Sequence, residues 1–129
     1  MSEAHALARL GNATAVAYLL DNEDLDPNAV DERGFSLLMI AAYNDRAAVT
    51  ELLLARGADP DARDARGNTV LMGMAFKGHL APARALIAAG ADVNAATPQG
   101  LTALAMARRY GHEELARVLV EAGASDDLS

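Results

Sequence analysis

Apolar positions recur along this chain in pairs of short helical patterns. Leu38, Ala41 and Ala42 stand at i, i+3 and i+4, and Val49, Leu52 and Leu53 repeat the spacing a few residues later, as two amphipathic helices sharing a core would. Helices of roughly nine to eleven residues are too short to persist alone in water, so their order must come from packing on a partner helix and on neighbouring pairs. Alanines on the first helices (Ala41, Ala42, Ala75, Ala107) permit close approach, and leucines on the second helices fill the space between layers.

The pattern repeats with a period of 33, marked by Gly34, Gly67 and Gly100. From these glycines the chain reads G-F-S-L-L, G-N-T-V-L and G-L-T-A-L, and 23 residues further on R-G-A-D-P-D, A-G-A-D-V-N and A-G-A-S-D-D. Such a period signals a repeat architecture. It predicts one domain over 1–129, with full units at 34–66, 67–99 and 100–129 and a degenerate cap unit at 1–33. Turn residues follow the same register. Asn12, Asp45, Gly78 and Gly111 are expected to reverse the chain between helices with positive φ, and Asp24, Gly57, Gly90 and Gly123 to end the second helices. Ser36, Thr69 and Thr102 are placed to cap the first helices, and Pro82 falls in the first turn of a second helix, where its missing N–H is harmless.

The run G-N-T-V-L-M…K-G-H-L…A-L-I-A-A-G-A-D-V-N resembles an ankyrin repeat, and the likeness extends over essentially the whole chain. The resemblance implies an all-α fold: a solenoid of about four helix-turn-helix repeats with projecting β-hairpin-like loops. The family's T-P-L-H tetrapeptide stands here as Ser36-Leu37-Leu38-Met39, Thr69-Val70-Leu71-Met72 and Thr102-Ala103-Leu104-Ala105. Proline and histidine are lost in all three, so the histidine's hydrogen bonds should be missing, with methionine filling the space apolarly.

Composition narrows the function classes. At 52% hydrophobic residues the chain can build a core; it holds 30 alanines, no cysteine and five aromatics (Tyr18, Phe35, Tyr43, Phe76, Tyr110). A formal charge of −7 repels nucleic acid and anionic membrane surfaces. No apolar run is long enough for a membrane span and the N-terminus lacks a basic start, so a cytoplasmic protein is expected. Four units expose a modest surface and nothing indicates a symmetric dimer, so a monomer is expected. Ten arginines against one lysine, with abundant alanine, suggest a bacterial source. Residues 1–33 carry −5 of the charge. The cluster Asp21, Glu23, Asp24, Asp26, Asp31, Glu32 reads first as the polar face of a terminal unit, and second as a contact for a basic partner.

Candidates for chemistry are few. His79 and His112 share a repeat position with no third aligned ligand, and His5 reads as a surface histidine on a frayed first helix. Asp59, Asp61, Asp92 and Asp127 belong to repeat loops, where aspartate is expected for turn reasons. Neither Gly-rich phosphate motif occurs. No catalysis, metal or cofactor is expected.

What varies between units should line one concave surface. Hairpin tips carry Glu32, Arg33, Phe35; Ala65, Arg66, Asn68; and Pro98, Gln99, Leu101. First-helix ends carry Tyr43, Asn44; Phe76, Lys77; and Arg109, Tyr110. Four of the five aromatics fall in these sets, and aromatic and arginine side chains dominate interface energies. The expected partner-binding residues are therefore Arg33, Phe35, Tyr43, Asn44, Arg66, Asn68, Phe76, Lys77, Gln99, Arg109 and Tyr110. The function expected is a non-catalytic module that holds an unidentified protein or peptide in this groove. The alternative is an immunity- or inhibitor-type protein whose acidic first unit occludes a basic surface.

Overall fold

The computed structural model describes residues 2–125. These form eight helices: α1 (Glu3–Leu10), α2 (Ala13–Asn22), α3 (Leu37–Tyr43), α4 (Ala47–Ala55), α5 (Val70–Lys77), α6 (Leu80–Ala88), α7 (Ala103–Arg109) and α8 (Glu113–Glu121). Helices α1, α3, α5 and α7 pack side by side as one layer and α2, α4, α6 and α8 as a second, giving the all-α repeat solenoid. Leu37, Leu38, Leu53, Leu71, Met72, Met74, Leu86 and Leu119 are fully buried between the layers, and Ala41, Ala42, Ala75 and Ala107 have no exposed surface.

Each first helix starts on a hydroxyl. Ser36, Thr69 and Thr102 accept from the backbone N–H of Met39, Met72 and Ala105 at 3.1, 3.3 and 3.2 Å, removing one of the unpaired donors at the helix start. Ser2 does the same for His5 in α1 at 3.1 Å. Met72 then uses its thioether where the family would have histidine: Sδ accepts from the Thr69 N–H at 3.4 Å. Pro82 is buried in the first turn of α6.

Chain reversal between helices falls on Gly11, Asp45, Gly78 and Gly111, with φ of 80°, 59°, 78° and 74°. This corrects the expectation for Asn12, which has φ −81° and instead caps α2 by accepting from the Ala15 N–H at 3.0 Å. The reason is one extra residue in α2, which has ten where α4 has nine. The first half of unit one therefore aligns with unit two at a spacing of 34, which sets Ser2 against Ser36 and Gly11 against Asp45.

His5 is also corrected. It is only 2% exposed, with Nδ1 2.6 Å from Ser2 Oγ and Nε2 3.1 Å from the Phe35 carbonyl. A carbonyl can only accept, so Nε2 carries the proton and, in the neutral ring, Nδ1 accepts from the Ser2 hydroxyl. Capped by Ser2 and packed on α3, α1 is ordered, and its histidine ties unit one to the next loop.

Between units the chain forms hairpin-like loops, each closed by a single antiparallel bridge: Val30 with Ser36, Arg63 with Thr69, Ala96 with Thr102. Gly34, Gly67 and Gly100 adopt φ of 82°, 83° and 86° at equivalent points. A polar ladder also links successive loops. Asn28 accepts from the Asp59 N–H at 2.7 Å and donates to the Gly57 carbonyl at 3.3 Å. Asn94 repeats both bonds with Ser125 (2.7 Å) and Gly123 (3.1 Å). Asp61, in the same register, accepts from the Asp92 N–H at 2.7 Å and, as a carboxylate, has no proton to donate onward. Among the described residues no helix is long and apolar enough to cross a membrane.

Candidate functional site

Two edge-to-face aromatic pairs lie along the hairpin tips and first helices. Phe35 and Tyr43 have centroids 6.4 Å apart at 78°, and Phe76 and Tyr110 lie 4.8 Å apart at 84°. Both geometries set the positive edge of one ring on the negative face of the other. The Arg33 guanidinium covers Phe35 at 5.4 Å, within cation–π range. Phe35 and Tyr43 are half-buried, whereas Phe76 and Tyr110 are 53% and 48% exposed. Stacking needs aliphatic filler, so so much exposed aromatic surface has no role in the core.

Between the pairs opens a pocket of about 300 Å³. Six of the expected residues meet around it: Tyr43, Arg66, Asn68, Phe76, Arg109 and Tyr110. Arg33 and Phe35 adjoin it through the Tyr43 ring. Asn44, Lys77 and Gln99 are exposed but lie outside it. Asn44 is occupied locally, its Nδ2 donating to the Ile40 carbonyl at 2.7 Å. Leu101, at a hairpin tip, also lines the pocket.

The rest of the wall comes from Asp64, Met72, Gly73, Ala105 and Met106, none of them among the expected partner-binding residues. Gly73 and Ala105 shape the wall by what they lack, Gly73 by admitting the Tyr43 ring and Ala105 by its short side chain. A β-carbon on Gly73 would collide with the Tyr43 ring, and Ala105 stands where α3 and α5 carry Met39 and Met72. Comparing aligned columns, rather than looking for prominent side chains, would have exposed both.

The pocket walls are held by short-range bonds. Asp64 Oδ1 accepts the backbone N–H of Arg66 and Asn68 at 2.9 and 3.0 Å, and Arg63 bridges two tips by donating to the carbonyls of Gly67 and Ala96 at 2.8 and 2.9 Å. Burial, and to a lesser degree the Asp64 carboxylate, pushes the Tyr43 hydroxyl up to about 12. At the aligned position Asp31 takes the N–H of Arg33 and Phe35, both at 2.9 Å. Desolvation raises its pKa, but these bonds with the charges of His5 and Arg33 leave it below the ordinary carboxylate value.

The histidines are structural in placement. His112 Nε2 donates to the Phe76 carbonyl at 3.0 Å, with its ring where a β-carbon of Gly78 would stand. Asp45 carries such a carbon, and His79 lies with Nδ1 4.0 Å from the Asp45 carboxylate instead. Among the described residues no three His, Cys, Asp or Glu side chains gather as a metal set. Asp59 and Asp92 accept from the N–H two residues on, at 2.9 Å each. Asp127 lies outside the described residues. In unit one Asp21 pairs with Arg56, and Asp26 accepts from the Asn28 N–H at 2.8 Å.

A family model described as ankyrin repeats (3 copies) matches residues 3–64 and 38–128. No curated protein matches the chain.

Proposed function

The chain belongs to the ankyrin-repeat family, whose members are generally protein–protein interaction modules, and on that premise we propose that it is a non-catalytic module gripping a protein or peptide partner in the trough between the two aromatic pairs. The reading treats residues 1–129 as one four-unit domain, a monomer working in a bacterial cytoplasm. One observation carries it. The Phe76–Tyr110 pair is half exposed at the mouth of a pocket on the same face as Tyr43, Arg66 and Arg109, the side-chain types that dominate binding energies.

The acidic first unit is the weaker candidate, because its carboxylates have other work: Asp21 pairs with Arg56, and Asp26 and Asp31 hold turns. Replacing Tyr43, Phe76 and Tyr110 together by alanine tests the trough. The expected result is retained helical circular dichroism with capture of the native partner lost. Capture at wild-type affinity would reject the trough, and loss of capture on reversing Asp21, Glu23 and Asp24 alone would transfer the function to the acidic unit.

A further inference from the structure

The trough has a chemistry specific enough to describe its occupant. Its volume, about 300 Å³, is at the small end for ligand sites and admits one large side chain rather than a folded surface. Met72, Met106, Leu101 and the rings of Tyr43 and Phe76 make its lining largely apolar. Two guanidiniums, Arg66 and Arg109, stand on its wall, and neither has an ion pair within the described residues. The only carboxylate on the wall, Asp64, has one oxygen already taken by two backbone N–H groups. The wall thus carries one net positive charge in a chain of −7.

From this arrangement we propose that the pocket takes one large apolar side chain from an extended acidic segment of the partner protein, with carboxylates beside that anchor meeting Arg66 and Arg109. This rests on the trough reading above. A basic segment would meet the wall's net positive charge, and a neutral one would leave that charge without a partner. The anchor supplies most of the affinity, while the rim charges set orientation, encounter rate and salt dependence.

The probe is a phage-displayed library of random dodecapeptides selected on the intact protein, followed by fluorescence anisotropy of the enriched peptides. The enriched peptides should share a leucine or aromatic residue flanked by Asp or Glu. Ala105→Trp fills the pocket from an exposed position and should weaken their binding by about tenfold or more. Arg66→Glu with Arg109→Glu should weaken acidic peptides, slow their association and favour peptides with Lys or Arg flanks, with helical circular dichroism unchanged in both variants. Basic or uncharged flanks, acidic peptides indifferent to both variants, or no enrichment at all overturns the proposal. If it falls while the triple aromatic variant still loses the native partner, the trough reading stands without it; if that variant keeps the partner, both fall.

Discussion

The Tyr43 ring occupies the space that a β-carbon on Gly73 would need. A residue of unit two thereby leans over the first helix of unit three, and the wall of the trough is shared between them.

Gly73→Ala sets two effects against each other. Alanine inside α5 gains about 1 kcal/mol of helix propensity, and displacing a half-buried ring costs about as much in lost contact. The urea midpoint should move little, while the near-UV dichroism of tyrosine changes and partner affinity falls. A stabilised protein with a wild-type near-UV spectrum would place the ring elsewhere.

Glycines of equal φ should differ in tolerance. Gly34 and Gly78 have φ of 82° and 78°, so alanine at either costs about 1 kcal/mol of backbone strain. Nothing surrounds Gly34, whereas a β-carbon at Gly78 would stand 2.7 Å from the His112 ring. Gly78→Ala also breaks the bond from His112 to Phe76, so its loss should be about 2–3 kcal/mol. Equal losses in chemical denaturation would remove His112 from that role.

Asp61→Asn should stabilise the protein. Asn28 and Asn94 each donate to the glycine carbonyl one loop ahead, Gly57 or Gly123, and the equivalent bond from position 61 to Gly90 needs only an amide. The gain expected is about 0.5–1.5 kcal/mol, read from the denaturation midpoint. A neutral or destabilised variant would show that the ladder does not transfer.

Tyr43 should shape the alkaline limit of stability. Its hydroxyl ionises at about 12 folded against an ordinary 10.0, so above pH 10 the unfolded chain loses the proton first. This contribution is whole below pH 10 and lost as pH rises through 12. Ultraviolet titration should show a late tyrosine step that vanishes in Tyr43→Phe, along with part of the stability loss between those limits. An unchanged titration would assign the step to another tyrosine.

Much of the fold is legible in the residues because a period of 33 multiplies every weak signal by the number of units. Ser36, Thr69 and Thr102 cap as expected because the same hydroxyl recurs before the same apolar run. Asn12 misleads because one added residue in α2 shifts the frame, a change visible only when the earlier half is aligned separately. His5 misleads because burial at the end of a stack depends on what covers it: Ser2 on its own turn and the loop carbonyl of Phe35. The trough is half legible. Its aromatic and basic walls announce themselves as side chains, but Gly73 and Ala105 belong to it mainly by being small, the first making room for the Tyr43 ring.

The side chains of Asn28, Asp61 and Asn94 each reach forward by one loop. Such a latch works by translation, so the array resembles a staircase whose every step is hung from the one below. A duplicate of residues 67–99 spliced in after Gln99 would find its hook already waiting, and the height of the staircase could be changed without recarving any tread.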